Sequence, residues 1–222
     1  MAQTEHKSLS DTVYEHIKEM IISLEIKGGD KIPEAVIAKK FGVSRTPIRE
    51  AIRKLDKEGL VKLYPRRYAE VITISQKDII NIGLVRISLD TLAVQLVIQN
   101  GSNADCDELE KVATQCLDYA LAKNKRETIK YDTLFHKTMV EISKNPFLLR
   151  MMEDLHLKVQ LLQNRMWEIS QLKEGVKLHL PLIDKLRERD AEGAIEICQE
   201  HLINFYGLQN HPVIKRIKRL QG

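Results

Sequence analysis

The sequence predicts a mainly α-helical protein in two parts, a small N-terminal region over residues 1–74 and an all-helical region over residues 75–222. Aliphatic side chains recur at intervals of three and four along most of the chain, which is the spacing of one buried helix face. Aromatic residues make up only 5% of the chain, so aliphatic packing between helices is expected to form the core. Two short runs rich in branched residues, just before residue 74, break this period and indicate β-strands.

The composition predicts a cytoplasmic protein without a membrane partner. The chain has three cysteines and no CxxC pair, which favours a reduced compartment and argues against a disulfide framework or a cysteine-based zinc site. Residues 1–8 are polar and are expected to fray rather than to form a signal peptide. The longest apolar stretch, Ile79–Ile98, is interrupted by Arg86 and Asp90, so no membrane span is predicted.

A helix-turn-helix is predicted in the N-terminal region. Its first helix begins at Ser10 or Asp11 and continues to about Leu24. A second, short helix covers residues 34–41 and ends at Gly42. A third helix follows after a very short connection, which is the arrangement that defines this motif.

The third helix lies within the stretch FGVSRTPIREAIRKLDKEGL, residues 41–60. Ser44 is a suitable N-cap because its hydroxyl can accept a hydrogen bond from a free backbone N–H. Pro47 is tolerated in the first turn, and Gly59 is a natural C-terminal stop. One face is predicted to be buried because apolar residues recur on it at helical spacing: Ile48, Ala51, Ile52 and Leu55.

The opposite face of the third helix suits nucleic acid. Arg45, Arg49 and Arg53 are four residues apart and therefore align, with Thr46 beside them. Guanidinium groups near a helix N-terminus can contact phosphates and guanine edges in the major groove. Residues 39–67 contain ten Lys or Arg and three acids, a net charge of +7, whereas the whole chain carries +4. An ordinary solvated helix face is the alternative, although such faces usually mix both signs of charge.

A basic hairpin is predicted directly after the third helix. Residues 61–64 and 70–74 form its two β-prone runs, and residues 65–69 form the tip. A hairpin beside a helix-turn-helix is a wing, from which Arg66 and Arg67 can reach the DNA backbone or the minor groove. The alternative is a solvated loop that is basic by chance.

The region after residue 74 is predicted to be helical to its end. Helix breaks are expected at Asn100-Gly101, at Lys144-Asn145-Pro146 and at Arg189-Asp190. The expected helices cover residues 76–99, 103–123, 126–143, 146–170, 174–188 and 191–208, followed by a basic tail.

Four titratable residues fall where core residues belong in these helices: Asp132, His136, His179 and His201. Each stands in a 3-4-3 pattern with apolar neighbours, so all four are expected to point into one helical core. Burying such groups without partners costs about 1–3 kcal/mol each, and a shared metal would satisfy them together. Nitrogen-rich, sulfur-free ligation suits zinc, nickel, manganese or iron, with one ion per chain, and does not choose among them.

Two alternatives to this ligand set stay open at the level of sequence. A single inward histidine is more often hydrogen-bonded than bound to metal, although three with an aspartate favour a metal. His156 lies one residue away from the inner face of its helix and is a less favoured substitute ligand.

The sequence resembles a known family at both ends. Residues 9–74 are similar to the winged helix-turn-helix of the GntR family of bacterial transcription regulators, most specifically in GVSRTPIREAIRKLDKEGLV. Residues 76 to about 210 resemble the FCD effector-binding domain of the FadR subfamily. The matching features are DTLFH with a following Asn-Pro pair, then His179, and EHL ending at Leu202.

The resemblance implies a homodimer, a bundle of six or seven helices in the FCD region, and a metal at the four positions named above. It also implies that a small organic acid binds near the metal. The subfamily often carries R-x-x-L-E in the first helix of the bundle, and this chain has RISLD there. Arg86 is therefore the candidate partner of the effector carboxylate, and a salt bridge from Arg86 to Asp90 is an equally open alternative.

Three positions depart from the family pattern. Ala35 stands where the second helix commonly has an arginine, so one usual DNA contact is missing. Tyr68 stands where the wing tip usually has a glycine, which is expected to alter the approach to the minor groove. Gly28-Gly29 replaces the usual Pro-Gly and should only loosen the turn.

These features predict a dimeric DNA-binding transcription regulator that recognises a near-palindromic operator, responds to a small carboxylate and is not an enzyme. The predicted DNA contacts are Ser44, Arg45, Thr46, Arg49, Arg53, Arg66 and Arg67. The alternative is a metal-dependent hydrolase or lyase that carries a winged domain, since such a metal can activate water. It is disfavoured because the ligand-bearing helices show no spare inward carboxylate for acid or base catalysis. A purely structural metal is a third possibility.

Overall fold

The structure is a computed structural model that describes residues 8–221, with the side chains of residues 8–217. Residues 1–7, most of the stretch expected to fray, lie outside the described residues. The described chain forms two compact units, one of residues up to 74 together with 157–165, the other of residues 75–156 together with the residues from 166 on. The chain is mainly helical, as its sequence predicts.

The first unit contains three helices and one hairpin: α1 (Leu9–Ile22), α2 (Glu34–Phe41), α3 (Arg45–Lys57), β1 (Val61–Tyr64) and β2 (Tyr68–Val71). The predicted start of α1 is wrong by two residues, because Ser8 is the N-cap and its hydroxyl accepts a hydrogen bond from the Asp11 N–H at 3.1 Å. The connection from α2 to α3 is short because Gly42 adopts a left-handed conformation with φ of 62°.

Helix α3 packs by its predicted face, since Ile48, Ala51, Ile52 and Leu55 are all buried. Ser44 does occupy the N-cap position with extended backbone. Its side chain makes no capping hydrogen bond within the described part of the chain, so that detail of the prediction is wrong. The start of α3 therefore keeps backbone N–H groups that can donate hydrogen bonds to an external anion.

The hairpin is tighter than predicted. β1 and β2 pair antiparallel with Tyr64 opposite Tyr68, which leaves only residues 65–67 in the turn. The second strand begins at Tyr68 instead of Glu70 because the rings of Tyr64 and Tyr68 pack with their centroids 4.7 Å apart. The left-handed position of the turn falls on Arg66, with φ of 59°.

The second unit contains seven helices within residues 76–206, as the resemblance implies, and one more helix after them. They are α4 (Gln76–Asn100), α5 (Asn103–Leu121), α6 (Lys125–Ile142), α7 (Pro146–Met166), α8 (Ile169–Val176), α9 (His179–Glu188), α10 (Ala191–Tyr206) and α11 (Pro212–Gln221). The C-terminal half of α7, residues 157–165, groups with the first unit.

The two long helices predicted over residues 146–170 and 174–188 form three helices instead. Glu168 and Gln171 form a capping box at the start of α8. A new helix therefore begins there, although the spacing of apolar residues continues without a break. The basic tail forms the last helix, α11.

Helix α4 is the centre of the second unit and packs against α6, α9 and α10. It begins with a capping box between Ser75 and Asp78. Among the described helices it alone is long and apolar enough to meet the length and hydropathy criteria for a membrane span. It also carries Arg86 and Asp90, both buried against the neighbouring helices, as expected of the core helix of a bundle.

Candidate metal centre and nucleic-acid interface

The four predicted metal ligands come together in the second unit. Asp132 and His136 lie one turn apart on α6, His179 is the first residue of α9, and His201 lies on α10. All four are buried, with at most 5% of any residue exposed. One donor atom from each lies within 4.8 Å of the donor atoms of the other three. A metal held at about 2 Å from each donor would require only a modest contraction of this cluster.

The carboxylate of Asp132 is the point on which two imidazoles converge. Its Oδ1 atom lies 3.4 Å from Nε2 of His179 and 3.9 Å from Nε2 of His136. The ring centroid of His201 lies 5.0 Å from that of His179 and 5.5 Å from that of His136. Phe135 stacks on His179 at 4.0 Å between centroids and fixes the plane of that ring.

Most ring nitrogens of the cluster histidines have no hydrogen-bond partner among the described residues. Both ring nitrogens of His136 and of His179, and Nδ1 of His201, are buried without a hydrogen-bond partner in the part of the chain that the structure describes. Such buried unpartnered atoms are rare in native proteins and call for an explanation. Burial lowers the pKa of all three imidazoles below its ordinary value. Since the neutral imidazole is the form that binds a metal, the donor set fits a divalent ion.

His179 reaches the cluster differently from the sequence prediction. The prediction placed it inside a helix that also contained Val176, but α8 ends at Val176 and α9 begins at His179. Its burial comes from packing at a helix start, which a periodic pattern does not describe. His156 is only partly buried and lies outside the four-residue cluster.

Arg86 and Asp90 form the salt bridge that the sequence left open as an alternative. Nε of Arg86 donates to Oδ2 of Asp90 at 3.0 Å, and the two residues are 3% and 0% exposed. The other carboxylate oxygen, Oδ1, lies 3.6 Å from Nδ1 of His136. The approach of this carboxylate to the cluster was not predicted, because Asp90 lies on α4, far along the chain from the ligand-bearing helices.

The face of α3 that the sequence assigns to DNA is fully presented to solvent. Ser44, Arg45, Thr46, Arg49 and Arg53 are all exposed. Among the described residues their ion pair is a long one between Arg49 and Glu34, at 3.9 Å, with 62% of the Arg49 side chain exposed. An exposed pair at that distance contributes little, so the guanidinium groups are available to an acidic partner.

The wing presents Arg66 and Arg67 at an exposed turn in the same unit. Tyr68, which stands where the family usually has glycine, packs against Tyr64 and under the Lys31 ammonium, which lies 4.2 Å from its ring centroid. The tyrosine therefore acts as a packed base for the turn, and the left-handed conformation that a glycine would favour is adopted by Arg66.

Two family models match the chain. The model described as "Bacterial regulatory proteins, gntR family" matches residues 9–71, and the model described as "FCD domain" matches residues 81–204. The first range contains the wing and the exposed face of α3, called the recognition face from here on. This face carries Ser44, Arg45, Thr46, Arg49 and Arg53. The second contains all four residues of the buried cluster.

Similar proteins carry the same description. The HTH-type transcriptional regulator YdhC of Bacillus subtilis is 36% identical over 145 residues, which is 64% of each chain. The HTH-type transcriptional regulator McbR of Escherichia coli is 24% identical over 212 residues, covering 92% of this chain and 96% of McbR.

The solved structure of E. coli McbR has the same fold, with a TM-score of 0.77 at 22% identity, covering 91% of this chain and 97% of that chain. The agreement extends over both units, from the helix-turn-helix to the helical region. With both family models matched, the chain belongs to the GntR family of bacterial transcription regulators, in the group with an FCD domain, and its relatives are regulators rather than enzymes.

Proposed function

We propose that the protein is a homodimeric, cytoplasmic regulator whose affinity for a near-palindromic operator is modulated by a small carboxylate bound near a divalent metal. One observation carries this proposal. A single chain combines an exposed row of guanidinium groups on α3 with a buried cluster of one carboxylate and three imidazoles. The first arrangement suits an acidic polymer, and the second suits a metal and a small ligand.

DNA recognition is assigned to α3 and the wing. The N-terminal part of α3 would enter the major groove, and the wing would contact the backbone or minor groove. The contacting residues are Ser44, Arg45, Thr46, Arg49, Arg53, Arg66 and Arg67. Their exposure, and the burial of the apolar face behind them, support this assignment.

The metal is assigned to Asp132, His136, His179 and His201, with one zinc, nickel or manganese ion per chain. When bound, such an ion supplies a Lewis-acidic centre with room for a carboxylate oxygen. The chain contributes neutral imidazoles because burial keeps their pKa low. Arg86 is the proposed cationic partner of the effector, and it is held in place by Asp90 at 3.0 Å.

Dimerisation is assigned to the outer face of α4. Between residues 79 and 100 this helix has only two charged residues, and both are buried. Its exposed face consists of uncharged side chains at helical spacing, among them Val85 and Leu92, which are 49% and 39% exposed. An uncharged helix face of this length is typical of an interface between subunits.

The dimer is tested by a charge placed on this face. Leu92→Glu should give a monomer by light scattering and weaken operator binding, because the two recognition helices would no longer be linked. Leu121→Glu makes the same change at a residue 54% exposed on α5 and should leave a dimer. A dimeric Leu92→Glu protein with normal operator binding would contradict the assignment.

The regulatory function is tested with DNA and acids together. Operators selected from random duplexes by the zinc-loaded protein should show two related half-sites. A panel of small mono- and dicarboxylic acids should then contain a member that raises the melting temperature, changes operator affinity and is recovered unchanged. A single unrepeated half-site, or an acid that is consumed, would contradict the proposal.

A further inference from the structure

Asp90 occupies an unusual place in the core of the second unit. It is a carboxylate on α4 with 0% exposure, in the middle of a helix whose other buried residues are mostly apolar. The Arg86 guanidinium donates to one of its oxygens at 3.0 Å. A buried carboxylate needs at least one such partner to remain ionised. The salt bridge to Arg86 pairs one of its carboxylate oxygens, Oδ2, and leaves the other, Oδ1, without a hydrogen-bond partner among the described residues.

The second oxygen of Asp90 faces a matching unpartnered atom. Oδ1 of Asp90 and Nδ1 of His136 are both buried without a hydrogen-bond partner within residues 8–221, and they lie 3.6 Å from each other. A shift of about half an ångström would bring them to the usual N–H···O distance. The opposite ring nitrogen of His136, Nε2, faces Asp132 at 3.9 Å, on the side of the cluster.

The two sides of this imidazole have different chemical requirements. A neutral imidazole carries one proton, so one nitrogen donates a hydrogen bond while the other offers a lone pair. A carboxylate at Nδ1 favours the proton on that nitrogen and thereby leaves Nε2 free to act as a ligand. Partners of this kind fix the tautomer and orientation of metal-binding histidines and increase their basicity.

We propose that Asp90 is a positioning residue for the metal centre, holding His136 with its proton on Nδ1 and its Nε2 lone pair directed at Asp132, His179 and His201. Arg86 compensates the charge of Asp90 and orients its carboxylate, so the salt bridge on α4 and the ligands on α6, α9 and α10 form one connected group. This inference rests on the metal centre proposed above and assigns to it a residue outside the ligand set.

The test compares Asp90→Asn with a matched change on the same helix. The asparagine amide is similar in shape, but Arg86 can only donate and therefore holds the amide oxygen. The NH₂ group then faces His136 and cannot accept a hydrogen bond from Nδ1–H. Asp78→Asn makes the same chemical change in the capping box of α4. Two quantities are measured in the full chain: zinc affinity by competition with a chelator, and the tautomer of His136 in the metal-free protein by 15N NMR.

We expect the metal-free wild type to carry the His136 proton on Nδ1. Asp90→Asn should weaken zinc binding by about 10- to 100-fold and lose that preference for Nδ1. Asp78→Asn should lower the melting temperature without changing either quantity. Asp90→Glu, which restores a carboxylate, should recover most of the zinc affinity.

Two results would overturn the inference. One is a wild-type His136 that carries its proton on Nε2, which is measurable even if Asp90→Asn does not fold. The other is a folded Asp90→Asn protein that binds zinc as the wild type does. Failure of the metal centre itself would be recognised separately, because the wild type would then bind no zinc, and the inference would fall with it.

Discussion

The recognition face of α3 and the buried cluster of the second unit both concentrate polar groups, but in opposite environments. On α3 the arginines are exposed, so water and salt screen their charges and the fold does not depend on them. In the cluster the four side chains are at most 5% exposed, and their polar atoms must find partners inside the protein. Removing a group from the first site should change binding alone, whereas removing one from the second should change metal affinity and stability together.

The largest expected effect is the stabilisation of the second unit by zinc bound at the buried cluster. Zinc at a thousandfold excess over its Kd should stabilise the wild type by about 4 kcal/mol, because the ion links α6, α9 and α10. His179→Ala should remove most of that stabilisation. The response is followed by the fluorescence of Trp167, which lies in the second unit and is the one tryptophan of the chain.

A histidine outside the cluster provides the control. His211→Ala makes the same chemical change before α11 and should keep the full zinc response. Both variants should still bind operator DNA, since α3 belongs to the other unit. Equal zinc responses in wild type and His179→Ala would show that His179 does not contribute to zinc-dependent stability.

Acid should act on the cluster in the same direction as a chelator. Burial lowers the pKa of His136, His179 and His201 in the folded chain, so below about pH 6.5 the unfolded chain binds more protons. Stability from this source is present above that pH and is lost as the pH falls, by up to about 1.4 kcal/mol per pH unit for each histidine. Metal-free protein should show this loss in Trp167 fluorescence melts between pH 7.5 and 5.5, and a flat profile would contradict it.

At the recognition face the expected effect is smaller and confined to binding. Arg49→Ala should weaken operator binding by about 1–3 kcal/mol and change the free energy of unfolding by less than about 0.5 kcal/mol. Its side chain is 62% exposed and Arg49 is not one of the buried residues of α3. Lys18→Ala on α1 is the control for loss of one positive charge. Normal binding by Arg49→Ala, with binding lost in Lys18→Ala, would show that α3 is not the DNA-recognition helix.

The smallest expected effect concerns the wing. Arg66 adopts a left-handed conformation with φ of 59°, which glycine accommodates without strain. Arg66→Gly should therefore leave stability nearly unchanged while reducing the slope of log affinity against log salt by about 1, as one phosphate contact is lost. Arg126→Gly, on α6, should leave that slope unchanged. An unchanged slope for Arg66→Gly would exclude the wing tip from the DNA contact.

Local sequence patterns predicted much of this molecule. The apolar face of α3, the hairpin and the burial of Asp132, His136 and His201 all follow from short-range spacing, since each helix face repeats along a continuous segment. The exposed recognition face was also predictable, because polar residues left outside an apolar stripe point to solvent.

The remaining features depend on contacts between distant segments. Asp90 could be paired with Arg86 from their spacing, but its approach to His136 requires the packing of α4 on α6. The start of α9 at His179 depends on where α8 ends. The ring contact between Tyr64 and Tyr68 fixes the hairpin register, and nothing in the local period of residues 70–74 indicates it.

The most direct test of a metal-binding regulator is the metal content of the purified full-length chain, measured without added metal for the wild type and for His201→Ala. We expect about one divalent ion per wild-type chain and essentially none in His201→Ala. If both proteins are free of metal, and added zinc, nickel or manganese shifts neither melting curve, then the four residues form only a buried polar core and the proposed metal centre is wrong.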